Sequence, residues 1–163
     1  MLDKDKITAD VTKAKQLADM VIVLPHWGTE YVYTPDSNQN YWTQLFLSLG
    51  VDVVIGTHPH VLEPVEVVSD TKGHEMLVYY SLGNFVSNQD QKPRMIGGMA
   101  KMTLVKDETG CYVKNYNLTP VITQKLFGKK AITTYKLSDN SESLASGNEI
   151  RNDSGCSDFL LSY

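Results

Sequence analysis

The sequence predicts an α/β fold in which a parallel βαβ unit is followed by antiparallel β-hairpins. Apolar residues recur at three- and four-residue steps in two early segments, and a short apolar run rich in β-branched residues follows each of them. From residue 61 onward the helical spacing stops, and short apolar runs alternate with turn sequences. A chain of 163 residues has the length of one domain with a single core.

The first part of the chain has the order helix, strand, helix, strand. Residues 3–18 and 37–49 each place apolar side chains on one helical face, and Gly50 stands where the second helix should end. Residues 20–24 and 51–55 are short apolar runs that indicate buried strands. Two such strands joined through a helix in one sheet are almost always parallel, so their carboxyl ends should meet at one edge.

The following part of the chain predicts two hairpins. Turn sequences at residues 70–73 and 107–110 each separate a pair of strand-like runs. These runs cover residues 65–68, 76–80, 99–105 and 112–116. After residue 134 the sequence turns polar with little periodicity, which predicts a domain over residues 1–134 and a loosely docked polar tail over residues 135–163.

Composition narrows the class of protein. The chain is 42% hydrophobic and 21% charged, as in ordinary soluble proteins, and its formal net charge of -4 argues against binding nucleic acid. Its apolar runs are far shorter than the roughly 20 residues that a membrane helix needs, and its first residues do not resemble a signal peptide. Cys111 and Cys156 have no metal-binding spacing, and they could form a disulfide or be two unrelated thiols.

Three of the four histidines follow the two predicted parallel strands. His26 comes after the first strand, and His58 and His60 come after the second, at the edge where ligands bind in α/β sheets. We expect Pro59 to hold the His58-Pro59-His60 segment extended, with both imidazoles on one side. The pair could share one ion, or each could bind one of two ions, although hydrogen-bonded structural histidines are the alternative. His74, next to a turn, should face solvent.

Two further polar residues lie near these strand ends. Glu30 could be a metal ligand, a general acid or base, a substrate-orienting group or a solvated loop carboxylate. Asn84 follows another strand, where its amide could donate to a phosphate, coordinate metal or cap a turn.

Three separated motifs resemble one known family. HWGTEY at residues 26–31, VDVVIGTHPHVLEPVE at residues 51–66 and YYSLGNFVSNQ at residues 79–89 together resemble the CapA family of poly-gamma-glutamate capsule synthesis proteins. The resemblance implies the C-terminal half of a metallophosphoesterase-like αββα sandwich. It also implies that His26, His58 and His60 are metal ligands, with Glu30 and Asn84 as substrate-binding residues or as partners of the ligands.

The resemblance also implies how complete the site is. Related phosphoesterases use an early aspartate motif, a GD pair and an Asn-His pair, and none of these occurs in this sequence. The catalytic residues are therefore unknown, since the bridging carboxylate and the Asn-His motif are absent from this chain. We expect a divalent metal ion (Mn, Zn or Fe), one ion rather than two, and weak or absent hydrolysis by this chain alone.

By this resemblance, the full-length protein acts in bacterial poly-gamma-glutamate capsule biosynthesis or export, at the cell surface or on the extracellular side of the membrane. Its expected partners are an anionic polymer or phosphoester substrate, together with capsule-synthesis membrane proteins. The alternative is a non-catalytic cell-envelope module that binds an anionic polymer or an assembly partner. An uncovered sheet edge also predicts self-association.

Overall fold

A computed structural model describes residues 2–126 and 131–139 of the chain. The first sheet and its helices consist, in chain order, of α1 (Lys4–Leu17), β1 (Ile22–Val23), α2 (Ser37–Ser48), β2 (Val53–Ile55), β3 (Val65–Ser69) and β4 (Glu75–Tyr79). The second sheet and its flanking elements are α3 (Lys92–Met95), β5 (Ile96–Asp107), β6 (Gly110–Leu126), β7 (Ala131–Lys136) and a 3₁₀ helix (Leu137–Asp139). The α/β fold predicted from the sequence is confirmed.

Both predicted helices form, and side chains cap their first turns. The Asp3 carboxylate accepts a hydrogen bond from the Lys6 amide and starts α1. Asp36 and Gln39 form a capping box that starts α2 and satisfies two backbone amides. Gly50 follows the end of α2 with a φ of 74°, a backbone conformation that favours glycine.

The first sheet has the strand order β1-β2-β4-β3, with β1, β2 and β4 parallel and β3 antiparallel to β4. The predicted parallel unit and the first hairpin are confirmed. The first two strands are shorter than predicted. For example, the Val51 amide bonds the Phe46 carbonyl at the end of α2 instead of pairing in the sheet. The position of β4 beside β2 was not predicted.

The second sheet is antiparallel, with the order β5-β6-β7. The hairpin predicted around residues 107–110 is confirmed, and its strands are much longer than predicted. Strand β7 was not predicted, and it crosses the proposed boundary between residues 134 and 135. Residues 140–163 of the predicted tail lie outside the described residues, so the domain boundary stays a prediction.

The first sheet has a distinct set of core residues on each face. Met76, Val78 and Tyr80 pack with α1 and α2 in one apolar core, while Leu77 and Tyr79 pack against β5 and β6 in another. The layers are therefore helices, first sheet and second sheet, and the complete αββα sandwich stays a prediction. Among the described residues, no helix is both long enough and apolar enough to span a membrane.

Candidate functional site

The carboxyl ends of β1 and β2 bring His26 and His58 together. Beyond the two strands, His26 and Thr57 form an isolated parallel bridge, in which the Trp27 amide donates to the Thr57 carbonyl. This bridge holds the two chain segments side by side where they leave the sheet. The imidazole rings of His26 and His58 consequently lie with their centroids 4.6 Å apart.

The backbone of the His58-Pro59-His60 segment is not extended, and that part of the prediction is wrong. His58 has a φ of 108° and His60 a φ of 60°. Contacts outside the segment hold this turn, because the Tyr31 amide donates to the Pro59 carbonyl and Asn84 donates to the His60 carbonyl. The His58 and His60 rings are separated by 6.2 Å between centroids and inclined at 51° to each other.

The amide group of Asn84 determines the tautomer of the neutral His60 ring. Its Nδ2 donates to the carbonyl oxygens of His60, at 3.2 Å, and Arg94, at 2.8 Å, and both oxygens can only accept. The Asn84 Oδ1 therefore faces the His60 Nδ1 at 2.8 Å, and the neutral ring must carry its proton on Nδ1. The lone pair of His60 is left on Nε2.

The same reasoning applies to His26. The Thr57 hydroxyl lies 3.2 Å from the Pro25 carbonyl and 3.3 Å from the His26 Nδ1, and when it donates to the carbonyl its oxygen accepts from the His26 Nδ1. His26 is an exposed side chain, and its lone pair is then left on Nε2. Histidines that bind metals commonly donate their other ring nitrogen to an oxygen in this way.

A metal ion would find nitrogen donors here without a carboxylate. Within residues 2–126 and 131–139, no three His, Cys, Asp or Glu side chains are grouped closely enough to enclose a metal ion. The His26 and His58 rings are adjacent, whereas His60 turns toward Asn84 and Tyr31. This donor set fits the imidazole-binding transition metals, and the ring pair fits a single ion.

Sequence reasoning missed the aromatic and cationic residues beside His60. The Tyr31 ring stacks on the His60 ring at 28°, with 6.0 Å between centroids. The Arg94 guanidinium carbon lies 3.5 Å from the centroid of the same Tyr31 ring. Tyr31 stands within the HWGTEY motif, but no spacing in the sequence links it to Arg94, which lies on the short helix α3 between β4 and β5.

Glu30 and His74 lie apart from these contacts. Glu30 is exposed, and within the described part of the chain it has no hydrogen bond or ion pair to the histidines. The expectation that His74 faces solvent is wrong, because its side chain is half-buried and its Nε2 lies 2.8 Å from the Val51 carbonyl. Cys111 is half-buried, while Cys156 lies outside the described residues, so their pairing is untested.

A buried carboxyl group lies under the site, three residues after His60. Glu63 is only 1% exposed, and its Oε2 accepts a hydrogen bond of 2.5 Å from the Gln39 side chain. Its Oε1 has no hydrogen-bond partner among the described residues. Burial raises the pKa of Glu63 to about 7, with a further rise caused by the nearby Asp36 and a partial opposing effect of the Gln39 hydrogen bond.

Gln39 connects this carboxyl group to the segment that follows His26. Its side-chain oxygen accepts from the Asp36 amide, and its side chain packs directly against Gly28. Burial acts to raise the pKa of Asp36, but hydrogen bonds from the Gln39 amide and the Thr29 hydroxyl outweigh it and lower that pKa. Glu63 and Gln39 thus join the two histidine-bearing segments below the surface.

Comparison with known proteins places the chain in a class of capsule proteins. A model of the family described as "Bacterial capsule synthesis protein PGA_cap" matches residues 2–89, which include all three candidate histidines. The chain belongs to this family of bacterial capsule synthesis proteins. The resemblance to CapA proteins that was inferred from the three motifs is confirmed.

Two curated relatives show the extent of the match. The chain is 36% identical over 111 residues to the "PGA biosynthesis protein CapA" of Bacillus subtilis (strain 168), which covers 68% of this chain and 27% of that relative. It is 35% identical over 92 residues to the "Capsule biosynthesis protein CapA" of Bacillus anthracis, which covers 54% of this chain and 21% of that relative. The chain therefore spans about a quarter of the length of the relatives that it matches.

Proposed function

We propose that this chain contributes the histidine side of a divalent-metal site to a protein of poly-gamma-glutamate capsule biosynthesis or export. His26 and His58, whose rings lie 4.6 Å apart, are the proposed ligands of one ion, and Thr57 orients His26. His60, whose ring lies 6.2 Å from that of His58 and whose Nδ1 faces Asn84, is the proposed third ligand through Nε2. The observation that carries the proposal is that the Nδ1 atoms of both His26 and His60 face an oxygen, of Thr57 and Asn84 respectively, and a tautomer that donates there leaves the Nε2 lone pair for a metal ion. A bound divalent ion would supply Lewis-acid chemistry for a phosphoester-like bond.

The site as described supports metal binding better than turnover. The described residues bring imidazole groups together but no carboxylate that would bridge two ions. We therefore expect one ion of Mn, Zn or Fe and little or no hydrolysis by this chain alone. In the full-length protein, the proposed place of action is the cell surface, with capsule-synthesis membrane proteins as partners.

The test is a metal titration of the purified 163-residue chain. After chelation and dialysis, Zn²⁺ and Mn²⁺ are titrated by calorimetry, and bound metal is counted by mass spectrometry. We expect one ion per chain in the wild type, and strongly weakened binding in His58→Ala. Asn84→Ala should weaken binding about 10- to 100-fold, because it removes the group that orients His60.

The fourth histidine provides the matched control. His74→Ala also removes one imidazole, but its ring bonds the Val51 carbonyl away from the proposed ligands. Equal losses of metal in His58→Ala and His74→Ala would contradict the ligand assignment, as would the absence of stoichiometric metal in the wild type.

The second candidate function is a non-catalytic envelope module that binds an anionic polymer. The observation that favours it is the lack of a bridging carboxylate among the described residues. A hydrolysis assay with bis(4-nitrophenyl) phosphate and Mn²⁺, together with a binding assay of a γ-linked glutamate oligomer on the metal-free chain, separates the two. Turnover that is lost in His58→Ala supports an enzyme, while polymer binding that is unchanged in His58→Ala and needs no metal supports the binding module.

A further inference from the structure

The side chain of Arg94 contacts the Tyr31 ring, which in turn stacks on the candidate ligand His60. The guanidinium carbon lies 3.5 Å from the Tyr31 ring centroid, which is the spacing of stacked planes. The Tyr31 ring also stacks on the His60 ring, with 6.0 Å between centroids and an angle of 28° between the planes. The guanidinium, phenol and imidazole thus form a continuous series that ends at a candidate metal ligand.

Arg94 is also fixed through its backbone. Its carbonyl oxygen accepts the hydrogen bond from Asn84 Nδ2, and the other end of the same amide bonds His60. Tyr31 is held by its own amide, which donates to the Pro59 carbonyl at 2.7 Å. The position of the guanidinium relative to His60 is therefore determined from two sides, so little side-chain freedom is lost when it binds a ligand.

The guanidinium keeps its hydrogen-bond donors for another group. Stacking occupies its face, whereas its N–H donors lie in its plane. Within residues 2–126 and 131–139, no acidic side chain forms an ion pair with Arg94. A half-buried arginine that is stacked but unpaired by a carboxylate is suited to bind an oxyanion.

We propose that Arg94 is an oxyanion-binding residue of this site, with Tyr31 as the platform that orients it. This inference rests on the proposed function, in which a ligand binds at the histidines. Arg94 would bind a negatively charged group of that same ligand. The shared chemistry is a carboxylate or phosphoryl group that accepts two hydrogen bonds from the guanidinium edge. The carboxylates of a γ-linked glutamate polymer and the phosphoryl group of a phosphoester are its two sources.

The experiment measures binding to the metal-free full chain by calorimetry, with a γ-linked glutamate oligomer and phenyl phosphate as separate probes. Arg94→Gln should weaken binding of the recognised probe by about tenfold or more, since a charge-assisted bidentate contact is lost. Arg94→Lys should lose part of that affinity, because lysine retains the charge but not the planar fork. Tyr31→Leu should weaken the same probe through loss of the platform.

Lys114→Gln provides the control for net charge. Lys114 is exposed on β6 near the turn that joins β5 and β6, whereas Arg94 lies just before β5, at the far end of the paired strands. Circular dichroism and thermal unfolding of each variant check that the fold is retained, and Arg94→Lys is the variant that alters it least.

The outcomes distinguish the sources. A loss confined to the glutamate oligomer identifies the polymer as the ligand, and a loss confined to phenyl phosphate identifies a phosphoester. No measurable binding of either probe to the wild type, or equal losses in Arg94→Gln and Lys114→Gln, would overturn the proposal. Because no metal is present, failure here is separate from failure of the metal titration.

Discussion

Glu63 gives the chain a stability that should fall as the pH rises from acidic to neutral values. Its carboxyl group is 1% exposed and has a pKa of about 7, raised from an ordinary 4.5 by burial. The folded chain therefore holds this proton more tightly than the unfolded chain does. The resulting stabilisation is complete below pH 4.5, and it is lost as the pH rises through about 7.

The size of the effect follows from the shift. A change from 4.5 to about 7 corresponds to about 3 kcal/mol of unfolding free energy at about 1.4 kcal/mol per pH unit. Glu63→Gln removes the titration but keeps a side chain of the same shape beside Gln39. Relative to that of Glu63→Gln, the free energy of unfolding of the wild type should therefore fall by about 3 kcal/mol between pH 4.5 and pH 8.

The assay is urea unfolding at a series of pH values, followed by the fluorescence of the buried Trp27 and Trp42. Other titrating groups cancel when the two chains are compared at each pH. Glu66→Gln, which replaces an exposed glutamate on β3, is the matched control and should track the wild type. If the difference in unfolding free energy between wild type and Glu63→Gln stays constant from pH 4.5 to pH 8, the raised pKa of Glu63 is refuted.

Three further predictions concern strain, packing and association. Both His58→Gly and His58→Ala remove the imidazole, but only glycine accepts a φ of 108° without strain. The free energy of unfolding in urea should therefore be about 1 kcal/mol higher for the glycine variant, and equal values would argue against strain. In the same assay, Gly28→Ala should lower the free energy of unfolding by about 1 to 3 kcal/mol, because a Cβ would lie 2.8 Å from the buried Gln39 side chain and the φ of 85° disfavours alanine. An unchanged unfolding midpoint would contradict the contact. The chain should self-associate through the edge strand β1, next to which Leu24 is 72% exposed. Light scattering should show a mass above that of the monomer, and Leu24→Glu should lower it. A wild-type monomer at high concentration would count against this.

The elements that the sequence predicted best are those whose pattern is local. The periodicity of residues 3–18 and 37–49 and the turn at residues 107–110 depend only on neighbouring residues, and all three were correct. The position of β4 beside β2 depends on pairing between distant segments, which periodicity does not encode. Strand β7 was missed for the same reason, since its edge position follows from pairing with β6.

The candidate site was predicted unevenly for a related reason. The rule that parallel strands end at one edge was enough to bring His26 next to His58. The backbone of the HPH segment could not be predicted from proline alone, because Tyr31 and Asn84 from other loops hold it in its turn. Arg94 and Glu63 likewise gain their roles from burial and stacking that no spacing in the chain indicates.

The distribution of backbone strain argues that the loops of the candidate site are ordered before any ligand binds. Among the described residues, the non-glycine positions with positive φ are Tyr31, His58 and His60, and all three lie in the loops that carry the candidate site. Each such conformation costs about 1 to 3 kcal/mol, so it persists only where surrounding contacts impose it. Here those contacts are hydrogen bonds within the protein, from the Tyr31 amide to the Pro59 carbonyl and from the Asn84 amide to the His60 carbonyl. The protein itself therefore sets the orientation of the His60 imidazole, and a ligand that uses this orientation gains affinity without having to order the loop.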